Sequence, residues 1–405
     1  MKKAGRLKRT GGREATTRHI PPKLALSVSM PSTPAPRGWK WSALSDLARL
    51  ESGHTPSRNH PEYWGGDVPW ISISDARAHD GDRIDDTEEK TNELGLANSS
   101  ARLLPSNTVC LSRTASVGYV VVMGRPMATS QDFVNWICSE ELDYNFLKYL
   151  FIAEDEGLLR FASGSVHQTI YFPEVKAFHI CHPPLAEQQR IVGVLDEAFA
   201  SLATAQAHAA QNLQNARALF ESCIQVEFGK DVALGELVDI KTGKLDANAA
   251  EEDGEYPFFT CSRETYAINN YAFDCEAVLL AGNNAVGDFN VKHYVGKFNA
   301  YQRTYVITIN SRKRAISRYL YYQLQKNLAK FKSQSVGTGT KFLKLGMIKD
   351  MMIPLPTIPE QSRIVNQFDA LAAETQRLAQ IYEQKLAALA ALKKSLLHQA
   401  FSGEL

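Results

Sequence analysis

The segment Leu185-Ala-Glu-Gln-Gln-Arg-Ile-Val192 returns 173 residues later as Ile358-Pro-Glu-Gln-Ser-Arg-Ile-Val365. Carried along residues 184–228, this offset aligns 13 identities in 45 positions, ending with Phe228 over Phe401. Upstream it sets Gly164 over Gly337 and Ile170 over Leu343. Further back the register becomes 190, with Leu44, Leu47, Leu50 and Gly53 over Leu234, Leu237, Ile240 and Gly243. The chain is two copies of one unit of about 180 residues, the first longer by some 17. A duplication of this kind restricts the fold to two similar units in tandem, within the two to three domains that 405 residues suggest.

Each copy changes texture along its length. The first part is rich in β-branched and aromatic runs punctuated by turns, as in Val68–Ile73, Gly118–Val122 and Tyr301–Thr308, with short helices expected at Tyr144–Ile152 and Ala315–Lys330. The second part reads as one long helix, started by Pro183-Pro184 in the first copy and by Pro354, Pro356 and Pro359 in the second. Apolar residues follow a 3-4 spacing through Ile191, Leu195, Leu202, Asn212 and Leu219, and through Ile364, Phe368, Leu371, Leu378, Lys385, Leu389, Leu392 and Leu396. That spacing specifies a coiled-coil seam, with Asn212 and Lys385 as polar interruptions that fix register. Small residues of the first helix (Ala198, Ala205, Ala209, Ala216) face larger ones of the second, so the two helices are expected to pair with each other. The fold class is α+β. The divisions are a basic extension over 1–37, a domain over 38–184, a helix over 185–228, a second domain over 229–356 and a helix over 357–405.

Charge is uneven. Residues 1–37 hold nine Lys/Arg against Glu14 alone, while the remaining 368 residues hold 36 bases and 43 acids. The body is therefore not globally basic, and contact with nucleic acid must come from local patches or be shared with a partner. The basic segment lacks periodicity and is expected to be disordered; it resembles a transit peptide or a phosphate-touching arm, and a start at Met30 is the plainer expectation. No apolar run reaches the 18 or so residues that a membrane span requires, so an integral membrane protein is excluded. Six cysteines without a Cys-x-x-Cys pair point to reduced thiols in the cytoplasm.

Catalytic signatures are missing. Gly337-Thr-Gly-Thr-Lys341 lacks the Ser/Thr of a phosphate-binding loop, and His182-Pro-Pro-Leu185 lacks the acceptor and ring of an adenine methyltransferase. Pro173-Glu-Val-Lys176 is a nuclease-like triplet of a kind that chance supplies, and His179, Cys181 and His182 cannot all share one strand face to bind zinc. No catalytic residue, metal site or cofactor is assigned. What recurs instead is polar loops beside glycines. The first copy offers Ser72, Ser74, Arg113, Ser116, Gln131, Asp132, His167 and Gln168; the second offers Ser262, Arg263, Asn283, Asn284, Tyr301, Gln302, Arg303, Thr338 and Lys341. Arg, Gln and Asn make bidentate contacts to base edges, and glycine lets backbone N–H groups approach a phosphate. Gln131 and Gln302 fall in corresponding places but are followed by Asp132 and Arg303, as in two readers of different sequences.

These features together make the chain resemble the specificity subunits of type I restriction–modification systems. The resemblance rests on the paired helix starts at 184–192 and 357–365, the Gly-x-x-x-Gln/Lys-x-x-Ile/Leu loops, Leu-Pro-x-Asn-Thr-Val at 104–109, Trp70-Ile-Ser-Ile-Ser-Asp75, and the ending Leu-Lys-Lys-Ser-Leu-Leu-His-Gln-Ala-Phe-Ser-Gly-Glu-Leu405. It implies two target-recognition domains held apart by an antiparallel helix pair, each binding half of a bipartite site in double-stranded DNA. It also implies two methyltransferase subunits docked on the helices, restriction–translocase subunits joining later, and S-adenosylmethionine, ATP and magnesium held by those partners. Alternatives are a coiled-coil scaffold without a DNA role and a stand-alone DNA-modifying enzyme.

Overall fold

The computed structural model describes residues 26–28, 35–164, 168–223 and 229–405. The chain forms two compact units: residues up to Gln206 together with Ala387–Leu405, and Ala207–Leu386.

In the first unit, the β-branched runs build a five-stranded sheet in the order Ala48–Ser52, Phe133–Cys138, Val109–Ser112, Val120–Met123, Arg83–Ile84. The first four strands are antiparallel neighbours and the last pair is parallel. Successive side chains of a strand point to opposite faces, and here both faces are covered. Leu111, Val120, Val134 and Trp136 pack with Phe146, Leu147 and Leu150 of helix Tyr144–Glu154. Cys110, Val121, Met123 and Phe133 pack with Ile71 and Ile84 on the other side. Two-sided burial explains why these strands read as continuous apolar runs and not as alternating ones.

A second sheet places Phe178–His182 between Leu26–Val28 and Lys40–Ala43. Its first strand corrects the expectation that 1–37 is wholly disordered. Leu26–Val28 pairs in parallel with Phe178–Ile180, and Val28 is fully buried in the core. A three-residue strand has no readable period, and its partner lies some 150 residues away in sequence. The rest of the basic segment before residue 35 lies outside the described residues.

The second unit repeats the plan. Its six-stranded sheet runs Val238–Thr242, Thr304–Ile309, Phe273–Ala281, Val291–Ala300, Tyr256–Phe259, Tyr266–Ile268, and the first four strands keep the order and antiparallel sense of their counterparts. Helix Ser317–Lys326 takes the place of Tyr144–Glu154, burying Tyr319, Leu320, Tyr322 and Leu324 beside Val278, Leu280 and Ile307. Gly53 and Gly243 end corresponding strands. A Cβ on either would fall 1.8 Å from a backbone carbonyl oxygen, of Ser130 or of Ala300 respectively, so neither position tolerates a side chain.

Each half ends in a long helix, Leu185–Cys223 and Ile358–Ser402. The repeated motif is a lock at the helix start. Gln188 is fully buried; its Oε1 accepts from the Asp143 N–H (2.9 Å) and its Nε2 donates to the carbonyls of Glu141 (3.0 Å) and Pro183 (2.9 Å). Gln361 accepts from the Ile316 N–H (3.0 Å) and donates to Arg314 (3.0 Å) and Pro356 (2.9 Å). Two turns on, the Tyr149 hydroxyl donates to Asp196, and the Tyr322 hydroxyl donates to Asp369 (2.5 Å). Arg318 also reaches Asp369, whose carboxyl is held below the usual range by the two donors against the opposing effect of burial.

Within the first unit, the start of the central helix lies against the end of the C-terminal one. Arg190 Nη2 donates to the Leu405 carbonyl (2.6 Å), Lys393 Nζ sits 5.2 Å from the Phe199 ring, and Ile191 and Leu195 share a core with Leu397, Ala400 and Phe401. As one helix advances the other retreats, so these segments are antiparallel. In the second unit, Arg217 pairs with Glu383 at 2.9 Å, and Phe220 packs on the core that holds Ile364 and Phe368.

Burial revises the expected seam. One row is as the spacing requires: Leu195, Leu202, Ala209 and Ala216 are buried. The companion row is displaced by one residue toward the helix end. Asn212 is exposed and Leu219 is 50% exposed, while Leu213 and Phe220 turn inward. In the partner helix Leu371, Thr375, Leu378, Leu389 and Leu396 are buried or half-buried as the spacing requires, whereas Lys385 is exposed, Leu392 is 47% exposed and Leu386 is half-buried in place of Lys385. One residue is a rotation of about 100°, and either row keeps a 3-4 rhythm. Ala198 and Ala205 are half-buried beside Phe199, as the spacing requires; toward the helix end the row that carries Leu213 and Phe220 removes more apolar surface from water and wins over Asn212 and Leu219. Asn212 and Lys385 are therefore not register-fixing residues of a buried seam.

Candidate nucleic-acid interface

In the first unit, loops at one edge of the larger sheet converge. Thr55, two residues past Gly53, donates its hydroxyl to Gln131 Oε1. Arg113 Nη2 donates to the Gln131 carbonyl (2.9 Å), its backbone N–H donates to the Asp132 carbonyl (2.7 Å), and its own carbonyl accepts from Ile170 (2.9 Å). Thr114 bonds Thr169 at 2.9 Å, bringing the segment around the exposed Gln168 to the same rim. Burial pulls the Arg113 pKa down while Asp132 pushes it back up, and its guanidinium lies 4.9 Å from the Phe172 ring. Arg113 thus braces three loops. Asp132 accepts from Ser130 (3.0 Å), and the Ser130 N–H donates to Ile71, next to Ser72. Ser72 caps helix Ile73–Ala78 in a reciprocal box with Asp75, which engages its hydroxyl, and Ser74 beside it is exposed. Ser116 is half-buried in the loop over Ser112, and His167 lies outside the described residues.

The second unit assembles its rim from equivalent loops. Asn283–Asn284 pairs with Lys341–Phe342, placing Asn284 opposite Lys341. Asn284 Oδ1 accepts from the N–H groups of Val286 (2.9 Å) and Asp288 (3.0 Å), and Arg263 grips Asp288 through both carboxylate oxygens (2.9 and 2.8 Å). The Ser262 carbonyl accepts from Lys292 Nζ (3.0 Å), and the Tyr301 N–H donates to Phe259 (2.9 Å). Gln302 Nε2 donates to Asp246 Oδ1 (2.6 Å), as Gln131 meets Thr55 in the first unit. Arg303 is exposed with its guanidinium 5.9 Å from the Phe342 ring, and Thr338 is exposed in the turn after Gly337. Both glutamines are held by the loop that follows the crowded glycine, and Asp132 and Arg303 project from matching positions.

Residue patterns alone do not disclose several groups here. Arg58 lies 3.9 Å from the Trp64 ring and 5.0 Å from Trp70 while bonding both oxygens of Glu89 (2.5 and 2.6 Å), an aromatic clamp on the loop beside Thr55. Nothing in the spacing of Arg58, Trp64, Trp70 and Glu89 announces it. Lys241, Lys244 and Lys344 belong to no motif either. The His179–His182 stretch is a buried strand: the His182 ring sits between Ser42 Oγ (3.0 Å) and the Pro183 carbonyl (3.1 Å), and burial lowers its pKa.

With this geometry the family follows. The model of the type I restriction modification DNA specificity domain matches residues 36–212 and again 229–384, so the chain belongs to that family. Among its relatives, the type I restriction enzyme EcoDI specificity subunit of Escherichia coli is 44% identical over 176 residues, covering 44% of this chain and 38% of that protein. The MjaIX specificity subunit of Methanocaldococcus jannaschii is 32% identical over 162 residues, 40% of this chain and 38% of that protein. These matches span less than half of those relatives. The EcoprrI specificity subunit of Escherichia coli matches at 24% identity over 82% of this chain and 88% of its own. A chain from structural work on assembly of a type I R–M system shares the fold with a TM-score of 0.74 at 20% identity, covering 92% of this chain and all of its own. The HsdS subunit of Thermoanaerobacter tengcongensis does so at 0.58 and 19%, covering 93% and 99%. Among the described residues, no helix is long and apolar enough to cross a membrane.

Proposed function

We propose that this chain is the non-catalytic DNA-recognition subunit of a type I restriction–modification complex. The domains 38–184 and 229–356 each read one half of a bipartite site, and the helices Leu185–Cys223 and Ile358–Ser402 set the spacing and dock two methyltransferase subunits. The observation that carries the reading is one four-stranded frame used twice, with a crowded glycine and an anchored glutamine in the same place and Asp132 replaced by Arg303. Asp accepts from cytosine N4, and Arg forks onto guanine O6 and N7, so matching positions address different bases. Half-sites on one face of DNA lie roughly 34–36 Å apart per helical turn, and a fixed helix length turns that into a spacer requirement. Holding one half-site makes the second contact intramolecular, at high effective concentration. S-adenosylmethionine, ATP and magnesium act on the partner subunits, and the base to be methylated leaves the stack into the partner's pocket. Restriction–translocase subunits complete the assembly.

Selection from a random duplex library, with the chain bound to its methyltransferase partner, tests this reading. The expected enrichment is two short specified blocks separated by a spacer of fixed length and free sequence. A single uninterrupted motif, or no enrichment, overturns it.

A further inference from the structure

We propose that the second recognition domain carries a phosphate-gripping groove that the first lacks, so that affinity for the duplex backbone resides mainly in the second. The inference rests on the DNA-recognition reading and deepens it.

Two adjoining cavities of about 590 and 480 Å³ share Thr242, Tyr305 and Leu345 and form one continuous groove beside the second rim. Their walls bring together Lys241, Lys244 and Lys344, with Arg303, the side chain read above as a base contact, at the rim and no carboxylate among the lining residues. The three lysines are exposed and make no ion pair among the described residues. The Tyr305 hydroxyl donates to the Leu343 carbonyl (2.7 Å), tying the strand Thr304–Ile309 to the residue before Lys344, which opens the helix Leu345–Lys349, so the floor is fixed. Several unpaired cations on a fixed floor suit a polyanion of regular charge spacing.

The first domain has the same backbone and different charges. Ser52 pairs with Val134 as Thr242 pairs with Tyr305, which places Glu51 where Lys241 stands, His54 where Lys244 stands and Asp132 where Arg303 stands. Glu51 is itself engaged by Arg49 (3.4 Å) and Arg102 (2.7 Å). The imbalance extends to the whole domains: residues 38–184 hold 12 Lys/Arg against 20 Asp/Glu, a net of −8, and residues 229–356 hold 17 against 13, a net of +4. Phosphates are repelled by the first field and attracted by the second, and each neutralised phosphate releases condensed counterions.

Salt dependence reads this out directly. The probe is a labelled duplex of about 30 base pairs of mixed sequence, titrated by anisotropy with the full-length chain over a salt series. Lys241→Gln, Lys244→Gln and Lys344→Gln together should lower the slope of log K against log salt by about 2–3, at about 0.9 for each phosphate that is no longer neutralised. A matched set in the first domain, Arg49→Gln, Arg77→Gln and Arg102→Gln, should leave the slope within about 0.5 of the unsubstituted chain, less than one neutralised phosphate. All six are surface residues, and unchanged circular dichroism and melting show that both variants remain folded. If the lysine variant keeps the original slope, or the arginine set lowers it equally, the groove is not the phosphate seat and the recognition reading stands. If the unsubstituted chain shows no salt-dependent affinity for duplex at all, the groove proposal fails, and the library selection with the methyltransferase partner decides the recognition reading separately.

Discussion

Gln188 and Gln361 show how much one buried amide can organise. Each satisfies a backbone N–H at the approach to a domain helix and two carbonyls around the start of a long helix. Truncation orphans all three partners at once. Gln188→Ala or Gln361→Ala should lower unfolding free energy by about 1–3 kcal/mol, measured by urea titration, and unequal losses would reveal which half tolerates the gap. Arg303 offers the contrasting case of an exposed side chain free to meet a ligand. Arg303→Ala should weaken cognate binding by the assembled complex 10-fold or more, on about 1–3 kcal/mol per bidentate contact, with mixed-sequence duplex much less affected. An equal loss on both duplexes would make Arg303 a phosphate contact instead of a reader.

Elements were legible to the degree that their signals are local. The helix starts at Leu185 and Ile358 follow from proline placement, and the strand runs from β-branched density. The seam was half legible, because spacing alone does not say which of two adjacent rows faces inward; side-chain size decides it. Asp196 and Asp369 stood among the repeated identities, yet a charged residue inside a helical repeat looks like solvated surface until its tyrosine is located. The strand Leu26–Val28 was illegible since everything that defines it comes from Phe178–Ile180. The loops of the candidate interface that the sequence singles out do converge at the sheet rims, while their internal bracing by Arg113 and Asp246 has no sequence signal. The seam correction has a measurable consequence. Leu195→Glu places an unpaired carboxylate in a closed core and should cost about 3–5 kcal/mol. Leu392→Glu, half in solvent, should stay within about 0.5 kcal/mol as an ordinary surface change does. Equal destabilisation of the two, read by thermal unfolding, would restore the row that burial rejects.

At the scale of the molecule, two similar domains, 38–184 and 229–356, carry opposite net charge on one frame. If each reads its own half-site, replacing 38–184 with the matching domain of another family member should alter one block of the methylated motif and leave the other unchanged. Methylome sequencing of cells carrying the chimera and its partner subunits scores this, and a motif altered in both blocks, or in neither, counts against separable reading.

The end of the chain comes home. Gly403 presses so closely on Pro36 that a Cβ there would lie 2.6 Å from the proline ring, and Leu405 receives the Arg190 side chain. Within the first unit the stretch around Pro36 and the end of the last helix are therefore neighbours, and a domain whose ends lie close together tolerates a break placed elsewhere in its chain. A permuted gene that begins at Gly229, joins Leu405 by a flexible linker to the segment preceding Leu26 and stops at Phe228 should yield a protein with the same melting temperature and the same specificity. Which half is translated first is then a property of the reading frame and not of the fold.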